Sequence, residues 1–285
     1  IIHSFRENTK SRAKKNIIYH YDLGNDFYKL WLDKTMTYSS ALFKSEKEDL
    51  SKAQENKYQQ LIDQLKIESH HKILEIGCGW GGFAEYAAKN IGCEIKGITI
   101  SPSQLEFAKS RIKNQGLDNK VTLELCDYRD LKGKFDRVVS IEMIEAVGEK
   151  YWIDYFKKIK EVLSKGGMAG IQVILINNKS YERYSKSVDF IQRYVFPGGM
   201  LPSQEKLNEN YKKSGLKEIQ SSSFGKSYAK TLGIWHEDFI NSIKSIRDLG
   251  FDSKLERIFR YYFSYCRAGF NSEKIDVVQK IIKSA

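Results

Sequence analysis

The chain has 285 residues, of which 41% are hydrophobic and 29% are charged, and its formal net charge at pH 7 is +11. This composition excludes a disordered chain and is typical of one large α/β domain with insertions or of two smaller domains. No apolar run approaches the roughly 20 residues that span a bilayer, the first residues lack the apolar stretch of a signal peptide, and the cysteines are scattered, so we expect a cytoplasmic protein.

The N-terminal region, residues 1–68, is predicted to form a helical cap. It begins with the basic run RENTKSRAKKN, and an excess of Lys and Arg attracts polyanions such as nucleic acid or an anionic lipid surface. Plain solubility is the alternative explanation of the charge. Six aromatic rings follow between His20 and Phe43. Near the end of the region, a helical repeat places apolar side chains at Leu50, Ala53, Tyr58, Leu61 and Leu65.

The region 69–285 is predicted to be a second unit built from alternating strands and helices. The predicted strands are KILEI, EIKGITI, VTLEL, FDRVVSI and MAGIQVILI, and this alternation predicts a mostly parallel, Rossmann-like α/β sheet with helices on both faces. An irregular stretch at about 177–202, which contains FPGGMLPS, is predicted to be an inserted lid or rim loop. A helix at Leu255–Phe270 and a final edge strand in KIDVVQKIIK complete the prediction.

A glycine-rich turn follows the first predicted strand in ILEIGCGWGGFAEYAAK. Its glycines, Gly77, Gly79, Gly81 and Gly82, allow a tight turn and a close approach to a ligand at the carboxyl end of the strand. The GxGxG spacing, with Glu75 two positions before the first glycine, resembles the first motif of class I methyltransferases more than the GxGxxG dinucleotide motif. We therefore expect S-adenosylmethionine (SAM) as the cofactor.

The second predicted strand ends in Thr99 and Ser101, where an acid commonly holds the ribose, and this departure indicates a narrower family. The motifs HYDLGNDFYKLWLD, TMTYSSALF, LEIGCGWGG, GITISPSQ, SIEMIEAVGEKYW, FPGGMLPS, YAKTL and RAGFNSEKIDVVQ occur in this order. Together they are similar to the cyclopropane-fatty-acyl-phospholipid synthase and mycolic acid cyclopropane synthase family over nearly the whole chain. The resemblance implies transfer of a methyl(ene) group from SAM to the double bond of an unsaturated phospholipid acyl chain, which gives a cyclopropane fatty acid.

The same resemblance assigns residues to the cofactor, under a cap that covers cofactor and substrate. Tyr38 and Ser39 would close over its methionine end, and Tyr128 with Arg129 would flank the adenine, although an acid is usual at the position of Arg129. The full implied set of cofactor-binding residues is Tyr38, Ser39, Gly77, Gly79, Thr99, Ile100, Gln104, Tyr128 and Arg129.

Ring closure requires a proton to leave the new methyl group, so a base has to lie close by in a dry site. The resemblance implies that this base is a bound bicarbonate ion. Among the residues that surround this ion in the family, Ser40 replaces a cysteine and Gln172 replaces a histidine. The Gln172 amide can donate a hydrogen bond but, unlike histidine, cannot titrate near pH 7. A methyl- or methylene-branched chain, formed without ring closure, is therefore an alternative product. The implied catalytic residues are Ser40, Glu145, Gln172, Ile174 and Tyr228.

Aromatic rings suit this chemistry because they accept an acyl chain and attract positive charge. The predicted tunnel residues are Tyr21, Phe27 and Phe196, whereas Tyr19, Tyr28, Trp31, Tyr38 and Phe43 are either tunnel wall or plain core. The five histidines show no metal-ligand spacing, and no metal is expected.

The predicted partners are unsaturated phospholipid acyl chains at an anionic membrane surface, with the protein bound peripherally to the inner face of the membrane. Nucleic acid is not expected, because the sequence shows no RRM, KH or zinc-knuckle module. An RNA methyltransferase and a non-catalytic lipid-binding relative are the less favoured alternatives. Some relatives carry an additional N-terminal domain and dimerise, so a homodimer is compatible with the resemblance.

Overall fold

A seven-stranded sheet lies at the centre of the structure, a computed structural model that describes residues 23–285. The strands in chain order are β1 (Lys72–Ile76), β2 (Glu94–Thr99), β3 (Val121–Leu125), β4 (Phe135–Ile141), β5 (Leu163–Ile176), β6 (Leu216–Ser223) and β7 (Ile275–Ser284). Their order across the sheet is β3-β2-β1-β4-β5-β7-β6. Strands β1 to β5 are parallel, and β7 lies antiparallel between β5 and β6.

Eleven α-helices accompany the sheet in the described part of the chain. They are α1 (Asn25–Lys29), α2 (Leu50–Leu65), α3 (Gly82–Ile91), α4 (Pro102–Asn114), α5 (Trp152–Val162), α6 (Asn178–Ser185), α7 (Phe190–Tyr194), α8 (Gln204–Ser214), α9 (Gly225–Asn241), α10 (Ile243–Asp248) and α11 (Ser253–Asn271). Local signals fix several helix starts. Asp49 accepts from Lys52 N at the start of α2, and Ser101 caps α4 with Pro102 at its first turn.

The two faces of the sheet bury separate apolar clusters. Helices α2, α3 and α4 cover one face, where Tyr58, Leu61 and Leu65 pack with Ile73 and Phe83. Helices α5 and α8 cover the other face, through side chains that include Trp152, Phe156, Leu207 and Tyr211. Thus α2, which the sequence places in the cap, packs directly on the sheet. The predicted boundary at residue 68 stays a prediction.

A third, aromatic cluster lies where α1 and the following segment meet α9 and α11. Phe27 is fully buried in it, with ring centroids 5.1 Å from those of Phe251 and Phe259. Its ring faces other core rings, and the lining of a substrate tunnel by Phe27 stays a prediction. Tyr28 and Trp31 are also buried members of this cluster.

The predicted mostly parallel sheet is confirmed, and its first four strands occur where the sequence placed them. The final segment is a strand, but β7 is interior rather than an edge, because the unpredicted β6 pairs with its other side. The stretch 177–202 contains α6 and α7, so it is not simply a loop, and the chain between α1 and α2 is not helical. Tyr19, Tyr21 and the basic run lie outside the described residues. Within residues 23–285 no helix is long and apolar enough to cross a membrane.

Candidate active site

A cavity of about 570 Å³ opens where β1, β2, β4 and β5 end, a volume typical of a small-molecule site. Most of the predicted site residues line it. They are Tyr38, Ser39, Gly77, Gly79, Thr99, Ile100, Gln104, Tyr128, Arg129, Glu145, Ile174, Phe196 and Tyr228. Ser40 and Gln172 are fully buried behind this lining and reach it through hydrogen bonds to Glu142.

The glycine-rich turn presents bare backbone to the cavity. Gly77 and Gly79 have φ angles of +81° and +52°, which glycine adopts readily and other residues do not. The Gly77 N–H donates to the Ile98 carbonyl at 2.9 Å, which ties the turn to β2. A Cβ on Gly79 would meet no atom within 4 Å, whereas one on Gly77 would come within 3.0 Å of Met143 Cγ. Open space therefore lies directly against the backbone of Gly79.

Polar groups at the ends of β1 and β2 face the same part of the cavity. Thr99 Oγ1 donates to Gln104 Oε1 at 3.1 Å, which holds both side chains at the start of α4. Glu75 is buried, and its Oε2 has no hydrogen-bond partner. Burial raises the pKa of Glu75 to about 8, against the opposing effect of the Lys57 charge. An unpaired buried carboxyl oxygen beside a glycine turn fits a ligand that carries amino, sulfonium or hydroxyl groups, as SAM does.

Arg129 stands where the family usually has an acid, and the structure has an acid two residues earlier, at Asp127. Arg129 Nε and Nη2 lie 2.8 Å and 2.7 Å from the two carboxylate oxygens of Asp127, in a bidentate ion pair. Both side chains line the cavity, so a carboxylate is present although position 129 carries a cation. Tyr128 packs edge-on against Tyr155, with ring centroids 5.3 Å apart. Adenine binding by Tyr128 and Arg129 stays a prediction.

The segment after α1 supplies the roof of the site. The Tyr38 ring packs between the rings of Trp31 and Trp235, with centroids 5.2 Å and 5.4 Å away. Ser39 Oγ accepts a hydrogen bond of 2.7 Å from Lys57 Nζ. Lys57 is fully buried, and burial lowers its pKa to about 7 although the nearby carboxyls favour the charged form.

A buried polar cluster centres on Glu142, a residue that the sequence analysis did not select. Glu142 Oε1 accepts from Ser40 N and from Gln172 Nε2, both at 2.8 Å. Glu142 Oε2 accepts from the Tyr228 hydroxyl at 2.7 Å. Three of the five groups expected to hold a bicarbonate ion therefore donate to a side chain of the protein. A bicarbonate ion does not fit this arrangement, because its donors are already engaged by a carboxylate.

Glu145 lies beside this cluster and also lines the cavity. Its Oε1 accepts from the Ile174 backbone N–H at 2.6 Å, whereas its Oε2 is buried without a partner. Burial, together with the charge of Glu142, raises the pKa of Glu145 to about 8. Burial also raises the pKa of Glu142, but Lys57 and the three donors oppose that rise.

The far end of the cavity is apolar and aromatic. Phe196 and Leu232 line it together with Tyr262, Cys266 and Phe270. The Phe196 ring lies 6.2 Å from that of Tyr38 and 6.1 Å from that of Tyr262, centroid to centroid. One cavity thus joins the glycine turn to a surface suited to hydrocarbon, with two carboxyl groups between them. Lining of a substrate tunnel by Phe196 stays a prediction that this position favours.

Sequence reasoning missed three ionisable residues of the site, Glu142, Lys57 and Asp127. Glu142 offered a signal, because it directly follows β4 at the carboxyl edge of the sheet, where ligand sites form. Asp127 has the same position after β3. Lys57 offered none, because a lysine within a helix is usually solvated.

The family described as mycolic acid cyclopropane synthetase matches residues 8–280. A tuberculostearic acid methyltransferase of Mycobacterium tuberculosis is 36% identical over 284 residues, which cover 97% of this chain and 66% of that protein. The cyclopropane-fatty-acyl-phospholipid synthase of Escherichia coli K12 is 35% identical over 263 residues, 92% of this chain and 66% of that protein. The chain thus spans about two thirds of the length of both curated relatives.

Solved structures agree with the fold. The mycolic acid cyclopropane synthase CmaA1, complexed with SAH and CTAB, superposes with a TM-score of 0.89 at 26% identity. The cyclopropane synthase MmaA2 from Mycobacterium tuberculosis superposes with a TM-score of 0.88, also at 26% identity. Each match covers 94% of this chain and 97% of the solved chain. The expected class I methyltransferase fold is confirmed.

Proposed function

The chain belongs to the mycolic acid cyclopropane synthetase family, and on that premise we propose that it is a SAM-dependent methyltransferase acting on lipids. Its substrate is the double bond of an unsaturated acyl chain of a membrane phospholipid. When bound, SAM supplies the methyl group. Support comes from relatives named as a cyclopropane-fatty-acyl-phospholipid synthase and a tuberculostearic acid methyltransferase, and from a solved relative that holds SAH.

One observation carries the proposal: a single cavity connects the glycine turn with an aromatic, apolar end. The unpaired Glu75 Oε2 and the open backbone at Gly79 suit the cofactor at one end. The rings of Tyr38, Phe196 and Tyr262 suit an acyl chain at the other. An RNA base would instead need convergent polar groups at that end, and the surface there offers few.

The residues between the two ends match the charge that the reaction develops. Methylation of an alkene leaves a carbocation on the chain, which aromatic faces stabilise without attacking it as a nucleophile would. Buried walls exclude water, which would otherwise add to the cation. Tyr38 contributes to both effects, because its ring lines the cavity where the aromatic cluster meets the glycine turn.

The product in this proposal is a cyclopropane fatty acid, with a methyl- or methylene-branched chain as the alternative. Both need a base, because in each case the cation loses a proton. Bicarbonate is no part of the proposal, since Ser40, Gln172 and Tyr228 donate to Glu142. The relatives include both a cyclopropane-fatty-acyl-phospholipid synthase and a tuberculostearic acid methyltransferase, and the product is open to direct measurement.

A surface of exposed tyrosines supports docking on a membrane. Tyr194 is 44% exposed and Tyr261 is 52% exposed, and both rings contact Phe190, at 5.1 Å and 4.4 Å between centroids. Tyr265 continues the patch by stacking on Tyr261 and also lines the cavity. Tyrosine is favoured at membrane interfaces, where one end of the ring is apolar and the other is wet. The net charge of +11 adds attraction to anionic lipid.

The activity is tested by lipid mass spectrometry. The chain is expressed in a bacterium that lacks its own cyclopropane synthase and is fed methyl-labelled methionine. We expect labelled acyl chains that are one CH₂ heavier than their unsaturated precursors, and fragmentation then distinguishes a ring from a branch. Absence of label from lipid, with folded protein that binds SAM, would refute the proposed substrate.

Docking is tested separately by flotation with vesicles that contain anionic phospholipid. We expect the protein to float at low salt and to detach as salt screens the attraction. Replacement of Tyr194 and Tyr261 by serine should weaken flotation. Ile219, an equally exposed apolar residue on the edge strand β6, provides the matched control as Ile219→Ser. Equal loss in both variants would show that the tyrosine patch has no special role.

A further inference from the structure

The proposed function assigns no role to Glu142, although three donors from three different segments of the chain converge on its carboxyl group. Its partners are Ser40 N, Gln172 Nε2 and the Tyr228 hydroxyl. A backbone N–H and an amide NH₂ can only donate. A carboxyl group that accepts from several donors is stabilised in its anionic form. The cluster therefore holds a carboxylate at the wall of the cavity.

The left-handed backbone conformation of Glu142 indicates a functional role for this residue. Glu142 has a φ angle of +50°, a left-handed conformation that costs a non-glycine residue about 1–2 kcal/mol. Its N–H donates to the Gln172 carbonyl at 2.8 Å, so the conformation is fixed by β5. Glycine would adopt it without strain. An acid in such a place, fully hydrogen-bonded, is typical of strain kept for function.

The surrounding charges place the negative charge on Glu142 rather than on its neighbour. Lys57 attracts the Glu142 carboxylate, and the three donors favour the same form. Glu145 accepts from the Ile174 backbone N–H, and burial beside Glu142 raises its pKa to about 8. Two carboxyls that share a buried site do not both ionise readily. The donors and Lys57 thus favour the charge on Glu142 and the proton on Glu145.

A free anion has no place in the same cage. A second negative charge beside the first would be repelled in this buried site, where solvent screening is weak. It would also have to displace the Glu142 carboxylate from Ser40, Gln172 and Tyr228. Glu142 itself supplies the charge and the oxygen atoms that a bound bicarbonate would bring.

We propose that the Glu142 carboxylate is the base that completes the reaction, in place of an exchangeable anion. The inference rests on the proposed function. After methyl transfer has left a cation on the acyl chain, Glu142 removes a proton from the new methyl group. The electrons of that C–H bond form the C–C bond that closes the ring, and Glu142 becomes a neutral carboxylic acid. It returns the proton to water when the products leave.

The experiment compares wild type, Glu142→Gln, Glu142→Gly and the exposed control Glu94→Gln in buffer freed of carbon dioxide. SAH release, labelled lipid product and SAM affinity by calorimetry are measured for each. We expect wild type and the control to be indifferent to added bicarbonate. Glu142→Gln should lose about 10²–10⁴-fold in turnover with SAM affinity retained, as expected for a lost general base. Glutamine keeps the shape, and glycine suits the left-handed backbone, so both variants should fold.

Glu142→Gly also opens the cage, and we expect formate or bicarbonate to restore part of its turnover. As a readout that needs no activity, bicarbonate should raise the thermal unfolding temperature of Glu142→Gly but not that of wild type. Three results would overturn the inference: wild-type turnover that rises with bicarbonate, Glu142→Gln turnover close to wild type, or a folded Glu142→Gly that neither anion stabilises or rescues. If wild type transfers no label to lipid, the proposed function fails, while the unfolding readout still decides whether Glu142 fills an anion cage.

Discussion

The substitution Glu145→Gln should change the pH dependence of stability. The pKa of Glu145 is raised from an ordinary value of 4.5 to about 8, first by burial and then by the charge of Glu142. The folded protein therefore binds this proton more tightly than the unfolded chain does. The associated stability is fully present below about pH 4.5 and is lost progressively as the pH rises to about 8. Glutamine resembles the protonated acid and cannot lose a proton, so the variant should escape this loss.

The size of the effect follows from that pKa difference. At about 1.4 kcal/mol for each pH unit, the raised pKa corresponds to at most about 5 kcal/mol. Glu145 faces a cavity that water can reach, which screens part of this energy, so we expect about 2–3 kcal/mol. Near pH 4, below the ordinary pKa of 4.5, the variant and wild type should have similar free energies of unfolding. Near pH 9 the variant should be more stable by the full amount.

Urea unfolding of both proteins at the two pH values measures the difference directly. Other groups that titrate in this range, such as Lys57 and Glu75, are present in both proteins and largely cancel. Glu94→Gln, at an exposed position, shows how the same substitution changes the free energy of unfolding when the carboxyl group is not buried. A free-energy difference that is the same at both pH values, or a wild type that gains on the variant as the pH rises, would refute the reasoning.

Three further substitutions test separate parts of the site. Tyr228→Phe removes one donor from Glu142 and should lower kcat about 10-fold or more, as for loss of a hydrogen bond to a charged group, while calorimetric SAM affinity stays unchanged. Gly79→Val places a branched side chain where φ is +52° and should weaken SAM binding at least about 10-fold; unchanged affinity would place the cofactor elsewhere. Asn25→Ala removes the acceptor of the Trp80 indole N–H and should lower the free energy of unfolding by about 1 kcal/mol, as measured by urea unfolding. Catalytic rates of the same variant show whether this hydrogen bond also affects turnover.

The sheet could be predicted from sequence where apolar residues are continuously buried, as in β1, or alternate with exposed ones, as in the edge strand β3. Strands β1 and β3 read as KILEI and VTLEL, and the structure places both at those residues. Strand β6, with the sequence LKEIQSSS, could not be found, because an edge strand needs no apolar run. That omission alone made β7 look like an edge.

The site was predictable to the extent that the glycine turn and the carboxyl edge of the sheet fix it. Residues of the turn, such as Gly77 and Gly79, line the cavity as expected. The direction of a ring in a short helix is not encoded in spacing, so the sequence could not show that Phe27 packs among core rings. Glu142 follows β4 at the carboxyl edge of the sheet, but the convergence of Ser40, Gln172 and Tyr228 on its carboxyl group depends on the tertiary structure and could not be predicted from sequence.

The interior position of β7 also explains why an amide serves at position 172. Gln172 pairs in register with Gln279 of β7, and Gln279 Nε2 donates to Gln172 Oε1 at 3.1 Å. With its oxygen engaged in this way, the Gln172 amide presents its NH₂ group to Glu142. A neutral donor orients the carboxylate without supplying a proton that could neutralise it, as an imidazolium at the same position would. The neighbouring strand thus keeps the Glu142 carboxylate fixed in position, as its proposed role as the base requires.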